Sequence, residues 1–200
     1  MLMKKNGAVI ALHGQTDPLE QLELLGQVDT PLRADAFDLS ETEKVARIAE
    51  HFKGIMDTLG LDLTDDSLQG TPLRVAKMYV NEVFSGLNPE NKPTPTLFAN
   101  KFDYKGMLVE RDITVHSFCE HHFVPILGKA TVAYFSSGQV IGLSKLDRIV
   151  KYYAARPQVQ ERLTEQIAAE MKQVLRTDDV AVVIDAEHRC GKLRGVKDEC

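Results

Sequence analysis

Two hundred residues, 44% apolar and 26% charged, describe an ordinary soluble protein with one large domain, or one domain with an extension. A net charge of −5 argues against a general nucleic-acid surface. Three cysteines, odd in number and unevenly spread, suit a reducing cytoplasmic compartment better than a disulfide framework, and the start reads as neither signal peptide nor membrane span.

Residues 1–39 read as an N-terminal extension. Leu19, Leu22, Leu24 and Leu25 offer a short helix, interrupted by Pro18 and Pro31. A helical region over 40–96 follows. Ser40 and Glu43 have capping-box spacing, Val45, Ile48, Phe52, Ile55, Met56 and Leu59 recur at helical intervals as a core stripe, and Gly60 stops the run. Thr71-Pro72 opens a second helix, with Pro at its first position and Val75, Met78, Tyr79 and Val83 on the buried side. The Pro-, Asn- and Gly-rich stretch from Ser85 to Thr96 is a loop.

A sheet-bearing region over 97–200 completes the chain. Leu108 to His116 alternates, with Val109, Ile113 and Val115 expected on one face, and Gly128 to Phe135 is a second strand. Ser144 caps a helix running to Ala155; a longer helix passes through Val159, Leu163, Ile167, Met171 and Leu175. Val180 to Ala186 is a third strand. The order strand, strand, helix, helix, strand predicts an α+β fold with two helices over one face of an antiparallel sheet.

Chemistry concentrates in Cys119-Glu120-His121-His122 and, far downstream, His188-Arg189-Cys190. Zinc takes Cys sulfur and His nitrogen, and a catalytic site keeps one position for water. The reading is Cys119, His122 and Cys190 as ligands, with His121 and His188 beside the metal as acid–base groups. A structural four-ligand site, with His121 or His188 as the fourth, stays open, as does the bland alternative of buried, inert cysteines. Residues 141–197 carry eleven Lys/Arg against eight Asp/Glu, a bias that suits an anionic small substrate or simply a solvated helix face.

Beyond the metal groups, further stretches are informative. Gly142-Leu143-Ser144-Lys145-Leu146, Arg156-Pro157-Gln158-Val159-Gln160-Glu161-Arg162-Leu163-Thr164, Arg194-Gly195-Val196 and the stretch from Thr71-Pro72 to Met78-Tyr79, taken with the two metal motifs, resemble the GTP cyclohydrolase I family over roughly residues 40–197. The resemblance implies the tunnelling fold, a toroidal homodecamer with sites between subunits, and one zinc ion per subunit. It implies conversion of GTP to 7,8-dihydroneopterin triphosphate and formate, the first step of folate or tetrahydropterin synthesis. Carried onto this chain, the zinc ligands are Cys119, His122 and Cys190, and the catalytic histidines His121 and His188. Gln160 and Glu161 line the guanine end. Ser144, Lys145, Arg148 and Arg194 serve ribose and triphosphate, with Arg74 contributed by a neighbour. Neither nucleic acid nor membrane is implied as a partner.

One departure stands out. The family pattern continues beyond Val196 with a Ser/Thr-rich strand and usually a last helix, whereas here Lys197-Asp198-Glu199-Cys200 follows. The expectation is a sheet without its fourth strand and with one edge bare. Two alternatives accompany the main reading: a cyclohydrolase acting on a different purine, and a non-catalytic nucleotide-binding or regulatory paralogue.

Overall fold

The computed structural model describes residues 2–5, 8–12, 29–195 and 197. The Leu19–Leu25 helix expected from the sequence lies outside them. Two short strands come first, β1 (Leu2–Lys5) and β2 (Ala8–Leu12), paired as an antiparallel hairpin.

Helix α1 (Glu41–Thr58) begins as its sequence predicts. Ser40 accepts from the Glu43 amide while the Glu43 carboxylate accepts from the Ser40 amide, satisfying two otherwise orphan donors. Its apolar stripe departs from expectation. Met56 is buried, but Ile55 is exposed and Leu59 is 72% exposed. Val45, Ile48 and Phe52 are half-buried, so among the described residues the expected core stripe is covered in part and left open at Ile55 and Leu59. Helix α2 (Thr71–Met78) is capped by Gly70, which puts Pro72 one position later than predicted. It continues into a π-helical turn, Tyr79–Val83.

Three residues, Leu97–Ala99, form β3, and β4 runs from Met107 to Cys119. Val109 was expected to share a face with Ile113 and Val115. It is exposed instead, because a bulge between Glu110 and Ile113 inserts one residue, with Asp112 at φ 61°, and flips the alternation. Strand β5 (Pro125–Phe135) starts three residues earlier than predicted, leaving Glu120–Val124 as the whole connection from β4. Strand β6 (Gln139–Ile141), absent from the sequence reading, pairs with β3.

Helix α3 (Leu143–Ala154) is capped by Gly142 without a side-chain bond, so Ser144 sits inside its first turn rather than at the cap. The two residues of β7 (Pro157–Gln158) lie parallel to the end of β4, opposite Phe118 and Cys119. Helix α4 (Gln160–Leu175) and strand β8 (Val180–His188) complete the frame.

The main sheet has the order β1-β2-β8-β5-β4-β7. Helices α3 and α4 cover one face, and Leu146, Ile149, Leu163, Ile167 and Met171 pack there on Val115, Val132 and Ile184. This is the α+β arrangement expected, with two helices on an antiparallel sheet. One edge of the sheet was expected to be bare; the outer side of β8 carries the N-terminal hairpin, with Val9 opposite Ile184 and Leu12 opposite Ala181.

Gly86 shows how the front half is fastened. Its amide donates to the Ala155 carbonyl at 2.9 Å, and a Cβ there would lie 2.0 Å from the Tyr152 carbonyl, so no larger residue fits. Arg156 secures the same junction. It is buried, donates to the Gly86 carbonyl at 2.8 Å and lies 4.7 Å from the ring centres of both Tyr152 and Tyr153.

Candidate metal centre and active site

Strand β4 delivers Cys119 to a tight turn. The Cys119 amide donates to the Val124 carbonyl at 2.9 Å, and the Phe123 amide donates to the Cys119 carbonyl at 2.8 Å. Phe123 adopts φ 51°, a conformation that non-glycine residues rarely take. Its ring packs on Phe84 and Tyr79, which fixes the turn against the front helices. The turn swings His122 back toward Cys119. From the other side, β8 ends at His188 and a single helical turn, Arg189–Lys192, presents Cys190.

The ligand atoms of Cys119, His122 and Cys190 all lie within 4.8 Å of one another. A tetrahedral centre with sulfur bonds of about 2.3 Å separates its sulfurs by roughly 3.8 Å, so the cluster has the dimensions of a three-ligand metal site. Cys119 is 3% exposed, Cys190 half-buried and His122 exposed, so the group opens to solvent on one side. Burial, and then the neighbouring Cys119 thiol, push the Cys190 pKa up. A cation bound beside Cys190 would favour its thiolate and offset that rise.

Both candidate acid–base histidines flank the cluster. His121 Nδ1 is 3.6 Å from Cys119 Sγ, and its Nε2 is 3.9 Å from the Glu120 carboxylate. His188 Nε2 is 2.7 Å from Gln160 Oε1. Glu161, half-buried, follows Gln160 in the first turn of α4. Arg194 Nη1 donates to His122 Nε2 at 2.6 Å.

Matches to known proteins agree with this geometry. The GTP cyclohydrolase I family model matches residues 48–200. A Flavobacterium johnsoniae protein named GTP cyclohydrolase 1 is 60% identical over 168 residues, covering 84% of this chain and 75% of its own. Its namesake from Yersinia enterocolitica is 52% identical over 188 residues, 94% of this chain and 84% of its own. A third, from Vibrio parahaemolyticus, is 53% identical over 179 residues, 90% and 81% of the two chains. The chain belongs to the GTP cyclohydrolase I family.

In this member of the GTP cyclohydrolase I family, the candidate site residues fall into two sets within one protomer. Cys119, His121, His122, Gln160, Glu161, His188, Cys190 and Arg194 gather around the start of β5, where Phe118 pairs with Pro125 and Ile126 with His188. Ser144 and Lys145 open α3, which follows the opposite end of β5. Eleven strand residues span about 33 Å, so these two lie far from their own metal cluster. Arg148, one turn further along α3, lines a separate cavity of about 500 Å³ with Thr114, His116 and Lys151. Arg74 is tied locally to the Ser67 carbonyl and the Thr71 hydroxyl at 2.9 and 2.8 Å.

One relationship escaped sequence reasoning. Glu120 and Arg162 form a two-pronged ion pair between the metal turn and α4. Each looks like a surface charge in the sequence, and their 42-residue separation gives no signal of contact. Among the described residues, no helix is long and apolar enough to cross a membrane.

Proposed function

We propose that this site hydrolyses and rearranges GTP to 7,8-dihydroneopterin triphosphate and formate, using one zinc ion per subunit. The observation that carries the reading is the convergence of two thiols and an imidazole within 4.8 Å, flanked by His121 and His188. Cys119, His122 and Cys190 would hold the ion. Zinc so bound supplies an acidified water at neutral pH.

The remaining work falls to the chain's own side chains. Glu161 accepts from the N1–H and exocyclic amino group of guanine, a planar donor pair that a carboxylate matches. C8 lies between two ring nitrogens and becomes a competent electrophile when the imidazole nitrogen is protonated. His188 and His121 are the groups that give and retrieve that proton as the ring opens and formate leaves. Two waters enter in the two hydrolyses. One is lost when the rearranged ribose carbons close the pterin ring, and these proton transfers fall to the same histidines.

Ser144, Lys145, Arg148, Arg194 and Arg74 bind ribose and triphosphate through charge-assisted bonds. The separation of Ser144 and Lys145 from the metal cluster supports a site shared between copies of the chain, with one copy's α3 facing another's metal. The exposed Ile55 and Leu59 of α1 supply apolar surface for such an assembly, read here as a toroidal homodecamer. On this reading 97–200 is the catalytic region and 40–96 serves assembly. A reducing cytoplasm keeps the thiols available.

The test is a formate-release assay on zinc-loaded protein with GTP and guanosine, run beside light scattering. Stoichiometric formate from GTP by an oligomer is the expected result. Zinc and GTP binding without formate would overturn the reading in favour of a regulatory chain. Equal turnover of guanosine would remove the triphosphate from recognition.

A further inference from the structure

A second cavity, of about 450 Å³, is walled by helices α3 and α4 and by segments of the front half. No candidate site residue is among the described residues that line it. Leu32, Phe37, Leu87 and Tyr152 give it apolar walls, and Arg156, Glu170 and Lys92 set charges into them. Apolar walls with a few convergent polar groups, at this size, make a small-molecule site.

Two of the charged groups are withdrawn from water yet incompletely bonded. Glu170 is 6% exposed. The Tyr153 hydroxyl donates to its Oε2 at 2.8 Å, and Lys92 Nζ lies 2.7 Å from the same oxygen. Burial, and then the Glu170 charge, push the Tyr153 phenol up, so it keeps its hydrogen and stays a donor. Glu170 Oε1 accepts no hydrogen bond among the described residues. Arg156 is 7% exposed. Its Nε donates to the Gly86 carbonyl and its Nη1 to Asp29 and Thr30, while Nη2 donates to none of the described residues. Neither atom is sealed. Among the described residues, the one fully enclosed polar side-chain atom without a partner is Gln158 Oε1, so Glu170 Oε1 and Arg156 Nη2 are open to a ligand. Both groups stand on one ring, Glu170 at the Tyr153 hydroxyl and Arg156 4.7 Å from the ring centre, so one small molecule can reach both.

We propose that this cavity binds a small zwitterion, an α-amino acid with an apolar side chain. Its carboxylate accepts from Arg156 Nη2, its ammonium donates to Glu170 Oε1, and its side chain lies against Leu32, Phe37 and Tyr152. The charges fix the class. A lone anion leaves Glu170 Oε1 unbonded, a lone cation leaves Arg156 Nη2 unbonded, and a neutral apolar molecule leaves both. No internal bond has to break, because Tyr153 and Lys92 both hold Oε2 and leave Oε1 to the ligand.

The experiment is calorimetric titration of the zinc-loaded full chain with L-leucine and L-methionine. Two fragments of leucine serve as controls: 4-methylpentanoate, which lacks the ammonium, and 3-methylbutylamine, which lacks the carboxylate. Each amino acid is expected to bind once per subunit with Kd below about 1 mM, and each fragment at least about tenfold more weakly. Glu170→Gln should weaken both amino acids at least about tenfold and leave 4-methylpentanoate within about threefold. A glutamine there turns its single oxygen to Tyr153 and Lys92 and presents N–H groups to the ammonium. Leu32→Trp, at a position 45% exposed and so tolerant of a larger ring, should fill the cavity and abolish binding. Failure of both amino acids to bind overturns the proposal, as does equal binding of the fragments. Binding that survives both variants lies elsewhere, as on the metal, and overturns it too. If Glu170→Gln does not fold, Leu32→Trp and the fragments decide.

Discussion

Glu120 and Arg162 join the metal turn to helix α4 through two parallel contacts, one of them Arg162 Nη2 to Glu120 Oε1 at 3.3 Å. Glu120 sits between a candidate metal ligand and a candidate acid–base histidine. Arg162 is two residues from Gln160. The pair therefore fixes the distance between the two halves of the site, and both side chains are largely withdrawn from solvent.

Glu120→Gln is expected to lower stability by about 1–3 kcal/mol, because Arg162 would keep a partly buried charge with a weaker partner. Urea denaturation of the zinc-free protein measures this. Zinc release should quicken in the same variant, since Cys119 and His122 lose their brace. Unchanged stability with unchanged zinc release would show that the turn is held by its backbone bonds and Phe123 alone.

Metal binding should be steeply pH-dependent. The Cys190 pKa is raised, first by burial and then by Cys119, so the Cys190 thiol of the metal-free site is protonated at neutral pH. Zinc must displace that proton, and its apparent affinity should rise with pH across the range from about 6 to 8. Proton release on zinc addition, followed in weakly buffered solution, checks the sign. For the metal-free fold the linkage runs the other way. A raised folded-state pKa means that stability is kept below the ordinary thiol value, about 8.5, and falls as pH rises through the higher folded value.

On the proposed ligand set, Arg194 and a metal would compete for His122. A neutral imidazole offers one lone pair, and Arg194 takes it through Nε2. Removing that hydrogen bond, worth about 1 kcal/mol, should tighten zinc roughly fivefold in Arg194→Ala. Chelator competition measures it. The same variant should bind GTP more weakly, because the guanidinium released by metal is the one assigned to triphosphate. A weaker hold on zinc in Arg194→Ala would contradict the competition.

The hairpin of β1 and β2 protects a sheet edge. Deleting residues 1–12 should expose the backbone of Ala181–Asp185, now opposite Ala8–Leu12. Faster amide exchange confined to β8, with greater aggregation at equal protein concentration, is the expected outcome. Exchange in Ala181–Asp185 that does not change on deletion would mean that another segment covers this edge.

Much of this was legible before any coordinates. Two helices on an antiparallel sheet followed from the period of the apolar residues, because a buried face imposes its spacing directly on the sequence. The capping box at Ser40 and Glu43 was readable because both its partners are local. Cys119, His122 and Cys190 could be nominated from side-chain chemistry, since few residue types bind zinc.

What the sequence could not decide was anything set by a neighbour distant along the chain. Val109 faces outward because of a one-residue bulge, and a bulge leaves no mark on composition. Leu59 is exposed because periodicity reveals an apolar face but not what covers it. The pairing of Glu120 with Arg162, and the amide of Gln160 turned toward His188, depend on the way β4, β8 and α4 converge. Local spacing names the reactive groups; only the packing of elements far apart in the chain sets which atoms meet, because hydrogen-bond polarity and contact distance are properties of space and not of order.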